Sequence, residues 1–180
     1  PVTAYNTGSV DTDFTAGENE GGFTPTAITA GSVLIVNDGG GNTTSANAMA
    51  TALTNMGVGY TIVSSSSSTG VPADMFAYDA VLWAGNPSAG AEHTAILTYL
   101  DGGGRLLVSD NDFGYFNDST PLYAGYFQAD YLTDSGADGI VTGVDIMSGI
   151  ATDVSSDPFP DDFAIIGPDA TGIFIAPTTK

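Results

Sequence analysis

The pattern of apolar and polar residues changes sharply near residue 31. Residues 1–30 are rich in Thr, Gly and Ala and show no sustained apolar period, which is typical of an extended arm or linker. A continuous apolar run from Val33 to Val36 follows, and it stops at Asp38 and three glycines, as a strand buried on both faces does. The sequence therefore predicts an N-terminal arm at residues 1–30 and a globular domain at residues 31–180.

Strand and helix patterns alternate from residue 32 to residue 132. Each predicted strand is an apolar run, and the first two predicted helices carry apolar residues at helical spacing and end at glycine. The predicted strands cover residues 33–36, 60–63, 79–85 and 105–109, and the predicted helices cover residues 46–56, 91–100 and 121–132. This alternation implies crossovers between parallel strands. We therefore expect an α/β doubly wound domain, with a mostly parallel sheet and helices on both faces, of flavodoxin-like architecture.

The pattern weakens beyond Thr133. Residues 139–144 and 172–176 predict short strands, and residues 152–162 predict a loop with several Asp and two Pro residues. Because the sequence stops soon after the last predicted strand, we expect an open sheet edge near Gly172 to Ala176.

The charge balance excludes several classes of partner. Asp and Glu total 21 against two basic residues, Arg105 and Lys180, which gives a formal net charge of −19. Such a surface repels nucleic-acid phosphates and anionic lipid headgroups, so we expect neither nucleic-acid binding nor membrane insertion. Cations are the partners that it attracts, above all Ca²⁺ bound by carboxylate and carbonyl oxygens.

Composition also points to an environment. Only 13% of the residues are charged, against about 25% in average domains, and Gly, Ser and Thr replace them. This is typical of an extracellular or cell-surface protein. No apolar run approaches the length of a membrane span. The sequence begins at Pro1 without a signal-peptide pattern, so we expect either a removed leader or an excised fragment.

Three segments resemble a known family. Residues 33–38, 78–85 and 97–109 resemble class I glutamine amidotransferase-like, flavodoxin-like domains, and the most specific piece is the helix end TYLDGGGRLLVSD. Domains of this family recur in secreted bacterial and archaeal proteins, often beside peptidase or immunoglobulin-like modules. The resemblance implies the flavodoxin-like fold, and from it we expect a domain of a secreted protein.

The sequence departs from the catalytic members of that family. A class I glutaminase uses a Cys nucleophile, and this chain contains no cysteine, so glutaminase activity is excluded. Ser109 is the candidate replacement nucleophile and His93, the only histidine, the candidate base. Ser109 lacks the Gly-x-Ser-x-Gly pattern of a nucleophile elbow, and we expect His93 to be a solvated residue at a helix start.

Acidic residues mark a candidate metal site. Asp110 and Asp112 follow the fourth predicted strand, and Asp38 follows the first, which we expect to be its neighbour. Carboxyl ends of parallel strands share one edge, the usual ligand side, and a bound Ca²⁺ would relieve repulsion between the carboxylates. The alternative is that Asp110 and Asp112 are turn-forming residues that face water. The glycine loop after Asp38 lacks a phosphate-binding pattern and a basic residue, so a simple turn is favoured over nucleotide binding.

Other positions suggest glycans or partners. Asn42 and Asn117 stand in N-glycosylation sequons, and the serines from Ser64 to Ser68 could accept O-linked sugar. Aromatic residues at helical spacing predict one helix face, packed on the sheet or exposed as a patch for a sugar or a protein. These residues are Tyr123, Tyr126, Phe127 and Tyr131.

Together these features predict a non-catalytic extracellular structural or interaction domain of a surface protein, adhesin or filament, with Ca²⁺ as a candidate stabiliser. The arm at residues 1–30 is the expected means of self-association, because an extended segment can add a strand to an open sheet edge of a neighbour. The alternative is a secreted hydrolase or peptidase-accessory domain that uses Ser109 and His93 or a metal-bound water. A cation-assisted module that binds a small ligand is a third hypothesis.

Overall fold

A computed structural model describes residues 32–38, 43–65, 71–72, 74–87, 90–134, 139–154 and 161–175. The predicted arm at residues 1–30 and Asn42 lie outside these residues. No helix in the described ranges is long and apolar enough to cross a membrane.

Four parallel strands form the central sheet, in the order β2-β1-β3-β4. β1 is central and its side chains are almost fully buried, because neighbouring strands and helices enclose it on every side. The strands are β1 (Val33–Asp38), β2 (Tyr60–Ser65), β3 (Ala80–Ala84) and β4 (Arg105–Ser109). All four strands that the apolar runs predict are confirmed.

A helix covers each face of this sheet. Helix α1 (Thr43–Asn55) packs Ala46 and Ala50 against Ile35 and Ala84. Helix α2 (Ala91–Asp101) covers the opposite face, where Ile96 and Tyr99 join the larger core around Trp83 and Leu34. Helices on both faces of a parallel sheet define the doubly wound class, so the predicted fold is confirmed.

The turn from α2 into β4 explains why the helix ends on three glycines. Gly103 has a φ of +86°, a conformation that L side chains rarely adopt. A Cβ on Gly104 would lie 2.3 Å from the ring of Tyr99, which is buried and donates a hydrogen bond of 2.9 Å to the Tyr78 carbonyl. The glycines at residues 102–104 are therefore needed for the tight turn and for the close packing of the Tyr99 ring.

The prediction of one helix over residues 121–132 is wrong. A short helix, α3 (Phe113–Asn117), comes first, and a π-helix (Pro121–Phe127) follows with Thr120 as its cap. The π-helix stops because Gln128 takes a left-handed conformation, and the chain then enters strand β5 (Ala129–Thr133). Tyr131 is therefore a strand residue, and the predicted aromatic helix face is reduced to the π-helix, where Tyr123 is buried and Phe127 packs on the core.

Two small antiparallel sheets complete the described chain. Strand β5 pairs with β8 (Asp162–Ile165), and β6 (Ile140–Gly143) lies between β7 (Ala151–Asp153) and β9 (Phe174–Ile175). The strands predicted near 139–144 and 172–176 are confirmed, whereas β7 and β8 lie partly within the segment predicted to be a loop. Among the described residues β9 is the outer strand of its sheet, and the open edge expected near Gly172 to Ala176 stays a prediction.

Candidate functional site

The carboxyl edge of the parallel sheet brings several polar residues together, as the strand order requires. Asp38 and Ser65 end β1 and β2 and are register partners across that pair. Ser109 ends β4, which lies on the far side of β3. The expectation that the first and fourth strands are neighbours is therefore wrong. Asp38 and Asp110 share the edge but stand two strand spacings apart, about 10 Å across the sheet.

Asp38 is held inside the fold. The residue is 8% exposed, and its Oδ2 accepts a hydrogen bond of 3.0 Å from Nε1 of the fully buried Trp83. Alternation along β1 puts Asp38 on the same face as Val36, the face that α2 covers. The single tryptophan of the chain is thus satisfied by an acid, as a buried indole N–H must be.

A second buried polar contact lies beside the first. The Ser65 hydroxyl donates to Oε1 of Glu92 at 2.7 Å, and both side chains are buried. Glu92 is in the first turn of α2, where the helix dipole favours a negative charge. Sequence reasoning missed this pair because Ser65 belongs to a serine run without apolar contrast. The signal that could have predicted it is Glu92, an acidic residue at the start of the helix that follows the buried strand β3.

Asp110 and Asp112 form a turn. The backbone N–H of Asp112 donates to Oδ1 of Asp110 at 2.9 Å, and Asn111 Nδ2 donates to Oδ2 of Asp112 at 3.2 Å. This is the Asx geometry that the alternative interpretation predicts. Among the described residues, no group of three or more His, Asp or Glu side chains is arranged to hold a metal ion. The Ca²⁺ site at Asp38, Asp110 and Asp112 stays a prediction.

Ser109 and His93 do not meet. Ser109 follows Leu107 on the face that α1 covers, whereas His93 belongs to α2 on the opposite face, and no hydrogen bond joins them. The expectation of a solvated His93 is also wrong. Its ring is buried, with Nε2 3.1 Å from the Pro87 carbonyl oxygen. Since a carbonyl only accepts, Nε2 carries the proton.

A second polar cluster follows the parallel sheet. Oδ2 of Asp161 accepts from the backbone N–H of Gly114 at 2.6 Å, while its Oδ1 is buried without a hydrogen bond. Burial, more than the neighbouring carboxylates Asp112 and Asp134, raises the pKa of Asp161. Burial and the charge of Asp161 also raise the pKa of Tyr123 to about 12. The region around Tyr123 and Asp161 therefore resists further negative charge.

The structure also places the candidate glycosylation sites. Asn117 is buried, and its Nδ2 donates to Asn86 Oδ1 at 2.6 Å and to the Phe113 carbonyl at 2.9 Å. A glycan attached to Nδ2 would replace one of the two protons that make these hydrogen bonds, and the buried side chain leaves no space for a sugar. The sequon at Asn117 is therefore not a usable glycosylation site in the folded protein. Ser64 is exposed and Ser65 is buried, while residues 66–68 lie outside the described ranges.

The parallel sheet between two helices defines a flavodoxin-like α/β protein. No family model matches the sequence, and no curated protein matches it significantly. Among solved structures the chain is similar to a ThuA-like protein from Bacteroides uniformis, with 13% identity and a TM-score of 0.50. The match covers 79% of this chain, which spans 64% of the length of that protein. ThuA-like proteins have a glutamine amidotransferase-like fold, and at this identity the likeness shows the fold alone.

Proposed function

We propose that this chain is a non-catalytic structural or interaction domain of a secreted surface protein, adhesin or filament, and that copies associate through residues 1–30 and an open sheet edge. Three features support the proposal: the absence of cysteine, the Gly-, Ser- and Thr-rich composition and the resemblance to domains found in secreted proteins. The observation that carries the proposal is that β4 has an unpaired outer edge and an exposed leucine, Leu107, within the described residues.

Within the described residues, β4 is an edge strand, and it is uncovered on the face that α1 covers elsewhere in the sheet, while Leu106 and Val108 pack on the α2 side. It pairs with β3 alone, and the Leu107 side chain is 52% exposed. Leu107 is the register partner of Leu82 and lies on the face where α1 packs over β1, β2 and β3. Parallel sheets are normally covered on both faces, because their strands are apolar on both sides. An exposed edge with an exposed leucine is therefore a surface that another segment can complete.

The arm of a neighbouring copy is the segment we assign to this edge. An extended chain that adds to a sheet gains main-chain hydrogen bonds, and these do not depend on charge. That matters because two copies with a formal charge of −19 each repel one another. Association should therefore strengthen with added salt, which screens the repulsion.

Size-exclusion chromatography with light scattering tests this proposal on the full chain. We expect oligomers in the wild type at high salt and monomers after deletion of residues 1–25. Leu107→Ser should weaken association, whereas Ile62→Ser should not. Ile62 is the matched control because it is similarly exposed and lies on the same sheet face, on the opposite edge strand β2. A wild type that stays monomeric, or a deletion variant that still assembles, overturns the proposal.

Cation binding at the carboxyl edge is a separate part of the proposal. A Ca²⁺ bound by Asp110 and Asp112, with Asp38 at the same edge, would stabilise the native state by mass action. We expect a chelator to lower the melting temperature by several degrees and Asp112→Asn to abolish that difference. Asp74→Asn, which removes an exposed carboxylate ahead of β3, is the control. An unchanged melting temperature would leave Asp110 and Asp112 as a turn and contradict the cation site.

A further inference from the structure

Three aromatic rings in mutual contact, with a fourth on the same sheet face as the third, lie on the surface beyond β4. The ring centroid of Tyr115 is 5.1 Å from that of Phe116 and 5.8 Å from that of Tyr131. Tyr131 is the register partner of Phe163 across β5 and β8, so these two residues share a face of that sheet. Phe116, Tyr115 and Phe163 are 61%, 54% and 52% exposed. Three large aromatic rings that are more than half exposed, beside the partly exposed Tyr131, are typical of an interaction surface.

The rings on α3 are held by the packing behind them. Helix α3 carries Tyr115 and Phe116 outward, while Phe113 on the same helix packs edge-to-face against Tyr123 and Phe127 at centroid distances of 5.4 and 5.2 Å. The buried Gly114 backbone is tied to Asp161 through its N–H. The rings of Tyr115 and Phe116 therefore project from an anchored helix, so little backbone ordering entropy would be lost on binding.

Carboxylates surround the aromatic rings. The Tyr131 backbone N–H donates to Oδ1 of Asp118 at 3.3 Å, and its hydroxyl donates to Oδ1 of Asp134. The hydrogen bond to Asp134, more than burial, raises the pKa of the Tyr131 phenol, and the charge of Asp161 acts in the same direction. This part of the surface is therefore strongly negative.

No basic side chain in the described ranges offsets this charge. Arg105 begins β4, whereas α3 follows the opposite end of that strand, roughly 13 Å away along it. The segments 135–138 and 155–160, which adjoin Asp134 and Asp161 in sequence, contain no Lys or Arg. A ligand that approaches the rings meets aromatic faces and carboxylates together.

We propose that this acidic aromatic patch, formed by Tyr115, Phe116, Tyr131, Phe163, Asp118 and Asp134, binds a Lys- or Arg-containing segment of another protein. An ammonium or guanidinium group is attracted to an aromatic face within about 6 Å of its centroid, and nearby carboxylates add charge-assisted hydrogen bonds. The successive ring spacings of 5.1 and 5.8 Å together already exceed the reach of one cation, so the patch fits a segment with two or more basic residues.

Charge complementarity selects this occupant. A second copy of the chain offers only Arg105 and Lys180 against 21 acids and is repelled by the patch. A basic segment is steered towards it by the whole protein, because the net charge of −19 acts over a Debye length beyond the contact. The proposed self-association uses β4 and does not require this patch.

Fluorescence anisotropy with a labelled oligo-arginine peptide tests the proposal on the full chain. We expect saturable binding that weakens as salt is raised, and no binding of a Gly-Ser peptide of equal length. Because any acidic protein attracts a polycation, the decisive comparison is between variants of equal net charge.

Two sets of variants, each with its own control, make that comparison. Tyr115→Ala and Phe116→Ala should each weaken binding roughly two- to fivefold, whereas Phe76→Ala, an equally exposed ring packed near Tyr99, should leave it unchanged. Asp134→Asn keeps an acceptor for the Tyr131 hydroxyl and should weaken binding more than Asp74→Asn, although both remove one charge. Circular dichroism checks that each variant is folded.

Two results would overturn the proposal. Equal losses in patch and control variants would show that the peptide senses net charge alone. Salt-independent binding of a neutral oligosaccharide, lost in Tyr115→Ala and Phe116→Ala, together with no selective loss of oligo-arginine binding, would assign the rings to a glycan. Neither result bears on association through β4, which is measured separately.

Discussion

The parallel sheet and the two small antiparallel sheets use similar apolar side chains differently. In the parallel sheet Leu34, Ile35 and Val81 are fully buried, because α1 and α2 cover its two faces. In the C-terminal sheets Ile140 is 58% exposed, and Leu132 and Phe163 are also more than half exposed. An apolar strand is therefore buried only where a second layer packs on it.

This difference predicts an uneven distribution of stability. Burial of apolar surface is the main favourable term in folding, so the region between β1 and β4 should carry most of the free energy of unfolding. Sheets of two or three strands with exposed apolar faces contribute little alone. The C-terminal sheets depend on their attachment to the first region and on whatever covers them.

The largest expected effect compares one apolar truncation in each region. Leu34→Ala should lower the free energy of unfolding by about 3 kcal/mol, since it leaves a cavity in a fully buried position. Ile140→Ala should change it by less than about 0.5 kcal/mol, because its side chain already contacts water. Urea denaturation measures both. A cost at Ile140 as large as that at Leu34 would show that the face is covered in solution.

A glycine pair tests packing by the opposite change. Gly104→Ala should destabilise the protein by about 2 kcal/mol, because its Cβ would overlap the Tyr99 ring. Gly125→Ala in the π-helix should be neutral or slightly stabilising, since nothing lies within 4 Å of the added Cβ. Thermal unfolding of the two variants gives the difference. Equal melting temperatures would contradict the close packing between α2 and β4.

The smallest expected effect concerns alkaline pH. The folded state raises the pKa of Tyr123 from 10.0 to about 12, through burial first and then Asp161, Asp118 and Asp130. Above pH 10 the unfolded chain loses this proton before the native state does, so the stability contribution is complete below pH 10 and is lost as pH rises through about 12. Tyr123→Phe should make the urea midpoint fall less steeply over this range. An unchanged slope would mean that Tyr123 is solvated.

Local sequence patterns predicted the secondary structure of the parallel sheet and its helices, but they failed for the segment that leads into the C-terminal sheets. Strands β1 to β4 and helices α1 and α2 follow from apolar runs, helical spacing and glycine stops, all of which are read within a few residues. The spacing of Tyr123, Tyr126, Phe127 and Tyr131 fits a helix, but Tyr131 pairs with Phe163, 32 positions later. Such a non-local pairing overrides the local period, and one sequence does not reveal it.

The sequence predicted the parts of the candidate site that depend on local patterns and missed those that depend on non-local contacts. The carboxyl edge follows from strand direction, and Asp38 lies there as expected. Alternation along β1 also implies that Asp38 shares a face with Val36, and the pairing of Val36 with Trp83 brings the indole to the same face. The Ser65 to Glu92 contact joins residues 27 positions apart, and the strand order that separates β1 from β4 is likewise a property of the assembled sheet.

The position of Trp83 makes its intrinsic fluorescence a probe of unfolding in the parallel sheet. It is the single tryptophan of the chain, it is fully buried in the parallel sheet, and its indole N–H bonds to the Asp38 carboxylate. Its fluorescence therefore follows solvent entry into that sheet and is insensitive to the strands after residue 129. If far-ultraviolet circular dichroism changes at a lower urea concentration than this emission, the C-terminal sheets open first, and the two regions unfold as separate cooperative units.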